Sequence, residues 1–146
     1  MLIILALIGL LIWMWYSHQQ RIDKNAVGII KTESGENSVD YANIPGFKTL
    51  IFTADSVEQS VDFFNPSENR VNLQLSLSLA DGTQLYESGL IEPGKTVQKI
   101  KLSQALKVGE YKNATLHYKC YTPEGKASNA ANITFDLIVK ERKDNQ

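Results

Sequence analysis

The side chains that could do chemistry in this sequence are few. Cys120 is the single cysteine, so an intrachain disulfide is impossible, and a reactive thiol would need an exposed, electropositive setting. Its place in an alternating apolar run predicts a small buried side chain instead. His117 lies on the opposite face of the same run, where a solvated histidine is the ordinary case, and His18 borders an N-terminal apolar run. No partner constellation singles out either histidine as part of a Ser-His-Asp site.

Motifs of metal and phosphate sites are absent from the sequence. It contains no H-E-x-x-H, Cys-x-x-Cys, Walker loop or G-x-G-x-x-G. A calcium site needs clustered acidic ligands, whereas Asp81, Glu87 and Glu92 are spread over different predicted turns. With a net charge of −1, the chain also has no basic field to attract nucleic acid. The sequence therefore predicts a protein that is not an enzyme and that needs no small-molecule cofactor, no metal and no nucleic acid.

The first residues of the chain form an uncharged apolar run. Residues 1–16 contain fifteen apolar side chains and Gly9, and the first charge is Arg21. Twenty helical residues are about the length that crosses a bilayer core. The aromatic residues Trp13, Trp15 and Tyr16 cluster at one end, where side chains of the membrane interface are enriched. We therefore predict a single-pass transmembrane anchor over residues 1–20, with the lipid bilayer as its partner.

Two alternatives to this anchor remain, a buried core helix and a cleaved signal peptide. Against cleavage, bulky aromatic residues stand where a signal peptidase site needs small ones. On the side of the membrane, Arg21 and Lys24 follow the run and favour a cytoplasmic domain. We nevertheless expect an extracytoplasmic domain at the cell membrane, because of the fold predicted below. A start upstream that supplies basic residues would agree with this orientation.

The rest of the chain divides by composition and turn signals. Residues 21–45 are polar and lack a sustained period, so we predict a stalk, with Val27, Ile29 and Ile30 in an optional short extra strand. The Ile44-Pro45-Gly46 turn marks the boundary of a β domain over 46–140, and 141–146 form a charged C-terminal tail.

Residues 46–140 show period-two runs separated by turn signals. The clearest run is 70–79, where five leucines or valines alternate with polar residues, and Asp81-Gly82 then predicts a hairpin turn. Seven strands are predicted, at 47–54, 58–64, 70–79, 83–90, 96–102, 110–121 and 131–140. Their number and spacing predict an all-β, seven-stranded, immunoglobulin-like β-sandwich preceded by one N-terminal transmembrane helix.

The start of the penultimate strand has the spacing of a tyrosine corner. Gly109 and Tyr111 are therefore predicted to have a structural role, in which the tyrosine hydroxyl bonds back to the backbone. Strict alternation along the strand would place Tyr111 on the face opposite to the apolar face that begins at Ala114. A one-residue bulge near Lys112-Asn113 would reconcile the two, because it shifts the alternation by one.

The turn and corner motifs of the domain are those of a known class of surface domain. They are Ile44-Pro45-Gly46-Phe47, Phe64-Asn65-Pro66, Asp81-Gly82-Thr83 with Tyr86-Glu87-Ser88, Glu92-Pro93-Gly94 and Gly109-Glu110-Tyr111. Over 44–140 the chain resembles immunoglobulin-like or fibronectin-III-like domains of small, singly anchored surface proteins of Gram-positive bacteria. The resemblance implies a non-enzymatic module, often encoded with secretion or mobile-element functions. It carries over no binding residues, and the chain lacks both the cysteine pair of antibody domains and a Leu-Pro-x-Thr-Gly sorting motif.

Function is expected to be passive recognition. We predict a module for protein–protein interaction, as a structural or accessory part of a cell-envelope assembly for secretion, conjugation or pilus formation. Phe64 and Ile138 are predicted to point outward, and a shared patch of the two is the candidate interaction surface. An exposed sheet edge that accepts a partner strand is a second route. The alternative is a cell-wall or carbohydrate-binding module, for which Tyr86 and Tyr121 are the plausible aromatic platform.

Overall fold

The computed structural model describes residues 2–19, 22–28 and 49–143 of the chain. Within these residues, one helix, α1 (Leu2–Gln19), precedes eight strands. The strands are β1 (Ala26–Gly28), β2 (Thr49–Thr53), β3 (Glu58–Asn65), β4 (Asn72–Ser78), β5 (Gln84–Glu87), β6 (Lys95–Lys101), β7 (Gly109–Tyr121) and β8 (Ala127–Lys140). The prediction of a mostly β protein is confirmed, and the seven predicted strands correspond to β2–β8.

The strands form two sheets around one core. The smaller sheet has the order β1-β6-β3, and the larger sheet has the order β2-β8-β7-β4-β5. All neighbouring strands are antiparallel except β2, which runs parallel to β8. Apolar side chains from both sheets belong to a single buried cluster, with Phe63 and Val97 from the smaller sheet and Leu75 and Leu116 from the larger. The inner faces of the two sheets therefore share this core.

The alternation in β4 explains its position inside the larger sheet, between β7 and β5. Leu73, Leu75 and Leu77 are each 0% exposed, while the intervening polar side chains of β4 are half-buried on the outer face. Burying one such leucine is worth about 1.5–3 kcal/mol, so a slip of one residue would expose the whole set. The predicted alternation is confirmed, and it determines the register of β4 against β7.

A bulge reconciles the two halves of β7. Tyr111 lies opposite Leu137 and Ala114 lies opposite Phe135, so β7 has one more residue than β8 over this interval. Asn113 takes a positive φ of 56° there. Asparagine tolerates this left-handed conformation better than most residues. The predicted bulge is confirmed.

The chain just before the bulge is held by Tyr111. Its hydroxyl donates a hydrogen bond to the backbone carbonyl of Lys107 at 3.0 Å. This is the contact that the tyrosine-corner interpretation expects, and it joins the loop before β7 to the strand itself.

Replacing Tyr111 with phenylalanine tests how much this bond contributes. Tyr111→Phe is expected to lower the free energy of unfolding by about 1 kcal/mol, because one hydrogen bond is lost while the ring remains. Urea denaturation followed by circular dichroism measures the change. The midpoint should fall with no change in the m-value, since the fold is retained. An unchanged midpoint would contradict a stabilising role of the hydroxyl.

A buried polar network orders the end of the domain where β3 stops. Asn65 is 0% exposed, and its Nδ2 donates to the carbonyl oxygens of Val71 and Ile91, each at 2.8 Å. Its Oδ1 accepts a hydrogen bond of 2.7 Å from Nδ2 of Asn69. One side chain therefore satisfies backbone groups from two separate loops.

Part of the predicted stalk lies against the β domain. Ile22 forms a parallel bridge with Leu90, and β1 pairs with β6. β1 includes Val27 of the optional extra strand, whereas Ile29 and Ile30 lie outside the described residues. Residue 21 and residues 29–45 of the predicted stalk lie outside the described residues. So do the predicted Ile44-Pro45-Gly46 turn, residues 46–48 of the predicted β domain and 144–146 of the C-terminal tail.

Helix α1 has a fully exposed middle. Every side chain from 6 to 14 is exposed, including Trp13 at 66%, while the side chains of Trp15 and Tyr16 lie outside the described residues. In the part of the chain that the structure describes, no helix combines the length and the apolar character that crossing a membrane requires. The transmembrane span predicted over residues 1–20 finds no support there.

Candidate functional site

The two residues of the predicted interaction surface lie on different sheets. Phe64 is on β3 of the smaller sheet and Ile138 is on β8 of the larger, and both are half-buried. Their neighbours Phe63 and Leu137 point into the core, so Phe64 and Ile138 face outward. Phe64 is the register partner of Thr96, and Ile138 is the register partner of Ile51 and Glu110. The structure therefore does not bring Phe64 and Ile138 together as neighbours on one sheet.

Ile138 has a different apolar neighbour. Ile51 of β2 is its register partner in the parallel pair, and Ile51 is 57% exposed. Register partners on adjacent strands point to the same face, so the two side chains lie side by side on the outer surface. We call these two residues the Ile51–Ile138 patch. The sequence did not reveal it, because Ile51 stands between Leu50 and Phe52, and a run of three apolar residues does not show which one points outward.

Charged side chains border the Ile51–Ile138 patch. Glu110 of β7 is the register partner of Ile138 on its other side. The ammonium of Lys112 forms an ion pair with Glu110 and a second one, at 3.0 Å, with Asp136. These groups are well exposed, so the pairs contribute little to stability. They give an apolar centre a polar rim.

The outer edge of β2 is closed at one end by a side chain. Gln59 is 4% exposed, and its amide makes two bonds of 2.8 Å with the backbone of Thr53. Oε1 accepts from the Thr53 N–H, and Nε2 donates to the Thr53 carbonyl. The same Nε2 donates to the carbonyl of Ser56. A partner strand could not pair with β2 at Thr53, so the exposed face beside β2 is a better docking surface than this part of its edge.

A second polar cluster joins the N-terminal segment to the domain. Asp23 is 8% exposed, and its Oδ2 accepts hydrogen bonds from the N–H of Gly89 at 3.0 Å and the hydroxyl of Tyr86 at 3.4 Å. Its Oδ1 accepts from the N–H of Asn25 at 2.8 Å, and its own N–H donates to the carbonyl of Leu90 at 2.8 Å. We call this set of contacts the Asp23 clamp.

The clamp changes the electrostatics of Tyr86. Burial raises the pKa of its hydroxyl far above the ordinary value, and the nearby Asp23 carboxylate raises it further. Tyr86 therefore stays protonated and remains a hydrogen-bond donor to Asp23 at any physiological pH.

The aromatic residues proposed for sugar binding are engaged elsewhere. The Tyr86 ring packs against Phe63, with ring centroids 6.5 Å apart, and its hydroxyl belongs to the Asp23 clamp. Tyr121 ends β7, and its hydroxyl lies 3.4 Å from Oε1 of Gln74. β4 separates the strands that carry the two tyrosines. They do not form a shared platform for a sugar ring.

Cys120 is buried, and His117 is hydrogen-bonded to a neighbouring strand. Cys120 is 2% exposed, and burial raises the pKa of its thiol, which keeps it in the unreactive protonated form. His117 is half-buried, and its Nδ1 is hydrogen-bonded to Oδ1 of Asn132 on the neighbouring strand. Among the described residues, no three histidine, cysteine, aspartate or glutamate side chains are grouped as a metal site requires.

Comparison with known proteins identifies no relative of this chain. No protein-family model matches the chain, and neither a curated protein nor a solved structure matches it.

Proposed function

We propose that the protein is a membrane-attached module that binds another protein at the cell envelope. The observation that carries the proposal is the exposure of α1, in which every side chain from 6 to 14 is open to solvent. Monomeric soluble domains rarely expose an apolar surface of this extent. Insertion into a bilayer removes it from water at a gain of about 25 cal/mol per Å². The proposed attachment thus rests on exposure rather than on helix length.

The β domain is proposed to be an immunoglobulin-like sandwich. Support comes from the two sheets with a common core, from the seven strands β2–β8, and from the contact of Tyr111 with Lys107. The resemblance of the turn motifs to surface domains of Gram-positive bacteria supports an extracytoplasmic position. On this proposal the domain is a rigid structural or accessory part of an assembly for secretion, conjugation or pilus formation.

The Ile51–Ile138 patch is the proposed docking surface. An apolar centre with a charged rim is the usual anatomy of a protein interface, and here Glu110, Lys112 and Asp136 supply the rim. No described feature favours a carbohydrate, since the aromatic ring of Tyr86 packs inside the domain.

Site-specific photocrosslinking of the full chain in its native membrane tests the proposal. A crosslinking amino acid at Ile51 and, in a separate variant, at Ile138 is expected to give the same protein adduct. Position 98 is the matched control, because Gln98 is exposed on β6 of the other sheet. The adduct formed from position 51 should be lost when Ile138 is changed to glutamate, because a charge then occupies the centre of the patch.

Two results would count against the proposed docking surface. Equal adducts from positions 51 and 98 would show that the patch has no special role. Absence of any adduct, together with binding of the chain to purified cell wall, would favour the carbohydrate-binding alternative.

A further inference from the structure

The short connection between α1 and the β domain determines which side of the domain faces the membrane. We infer that the β1–β5 side lies against the bilayer surface, while the β2–β8 side with the Ile51–Ile138 patch faces away from it. This inference rests on the proposed insertion of α1. It names the lipid surface as the partner of one side of the domain and leaves the other side for a protein.

The first argument is chain length. α1 ends at Gln19, and Ile22 is already bridged to Leu90 of the domain. Only residues 20 and 21 lie between them. Consecutive Cα atoms are 3.8 Å apart, so the Cα atoms of Gln19 and Ile22 are separated by about 11 Å at most. The attachment point on the domain cannot be farther than this from the end of the helix.

The second argument is the strength of the attachment. The carboxylate of Asp23 is buried and accepts three hydrogen bonds, from Asn25, Tyr86 and Gly89. Bonds to a charged acceptor are stronger than bonds between neutral groups. β1 adds its pairing with β6 directly after the clamp. The segment 22–28 is therefore part of the domain and does not act as a free spacer.

The third argument is topology. β1 is the outer strand of the smaller sheet and β5 is the outer strand of the larger, and Asp23 contacts Tyr86 on β5. The tethered side of the domain is thus the β1–β5 side. In the larger sheet four strand spacings of about 4.8 Å separate β5 from β2, which is about 19 Å. The Ile51–Ile138 patch lies across this width, on the side remote from the tether.

The tether is expected to set the orientation without help from charge. The exposed charges next to the clamp and on β5 and β6 are of both signs, with Lys24, Lys99 and Lys101 positive and Glu87 negative. An excess of lysine on this side would favour the same orientation on anionic lipid, whereas the tether also acts on neutral lipid. We expect the same orientation on neutral and on anionic membranes.

Energy transfer to labelled lipid headgroups tests the orientation in the full chain. A donor fluorophore is attached through Glu87→Cys or through Ile51→Cys, in a Cys120→Ala background. The chains are incorporated into phosphatidylcholine vesicles and, separately, into vesicles that also contain phosphatidylglycerol. Position 51 lies a sheet width farther from the tether than position 87 does. Energy transfer from position 87 is therefore expected to exceed transfer from position 51 by about twofold or more in both lipids.

Three variants of the labelled chains test whether the tether causes the difference in energy transfer between positions 87 and 51. A flexible spacer of about ten Gly and Ser residues between Gln20 and Arg21 leaves every described contact intact, and should bring the two transfer values close together. Asp23→Ala should reduce the difference less than the spacer does, because it removes the side-chain acceptor of the clamp but leaves the backbone bond to Leu90 and the pairing of β1 with β6. Asp136→Asn, on β8 at the opposite side, is the control and should keep the difference.

Flotation of the vesicles separates this inference from the proposed function. Chains that do not float with the vesicles would refute membrane attachment itself. Chains that float but give equal transfer from positions 87 and 51, or greater transfer from 51, would overturn the inferred orientation alone. A difference that survives the spacer insertion would show that the tether is not its cause.

Discussion

Two carboxylates at the centre of α1 are expected to release the protein from the membrane. Leu10 and Leu11 are 55% and 64% exposed and lie in the middle of the helix, so Leu10→Asp with Leu11→Asp changes no contact with the β domain. An acidic residue at the centre of an inserted helix costs about 3 kcal/mol, so the pair costs about 6 kcal/mol. The double variant should therefore move almost completely from the membrane fraction to the aqueous fraction after alkaline extraction.

The matched control keeps the apolar character of the helix. Leu10→Met with Leu11→Met preserves side-chain size and should remain in the membrane fraction. If the double aspartate variant also stayed there, α1 would not be the element that attaches the protein. Circular dichroism of both variants should show the same β signal, because the core of the domain does not involve these residues.

Removing the side chain of Asn65 is expected to destabilise the domain strongly. Asn65→Ala takes away the donor to the carbonyls of Val71 and Ile91 and the acceptor for Asn69. The Ile91 carbonyl keeps its hydrogen bond from the Leu73 N–H, whereas the Val71 carbonyl loses its bond from Asn65, and an unsatisfied buried polar group costs about 1–3 kcal/mol. We expect a loss of about 3 kcal/mol. In a domain of about 100 residues this corresponds to a fall of about 15 °C in Tm, measured by thermal circular dichroism.

Asn129→Ala is the control for this experiment. Asn129 is exposed on β8, so the same substitution there should leave Tm nearly unchanged. A loss of less than about 1 kcal/mol for Asn65→Ala would mean that water replaces the lost side chain at little cost.

The strands could be predicted from the sequence because their signal is local. Alternation along β4 reports burial on one face, and a parity conflict between Tyr111 and Ala114 was enough to place the bulge. Both depend only on the fact that successive side chains of a strand point to opposite faces. The same rule predicts that Phe64 and Ile138 point outward, and each is half-buried beside a buried neighbour.

The candidate surface needed more than this rule. The alternation of side chains along a strand tells whether a residue points toward the core or away from it. It does not tell to which sheet the strand belongs. Phe64 and Ile138 belong to different sheets, whereas Ile51 and Ile138 are neighbours because β2 pairs in parallel with β8. These two strands are separated by most of the domain in the chain, so no short sequence pattern indicates their pairing.

The sequence by itself therefore determined that the chain has an apolar N-terminal run, a β domain and no recognisable catalytic or metal motif. Tertiary structure decided where 22–28 lie, since Asp23 meets partners 63 and 66 residues away along the chain. From its composition this segment resembles a spacer, because an aspartate and a lysine near a turn are ordinary in a linker. It belongs to the domain because Tyr86 and Gly89 bring donors to one buried carboxylate, and burial makes those contacts strong.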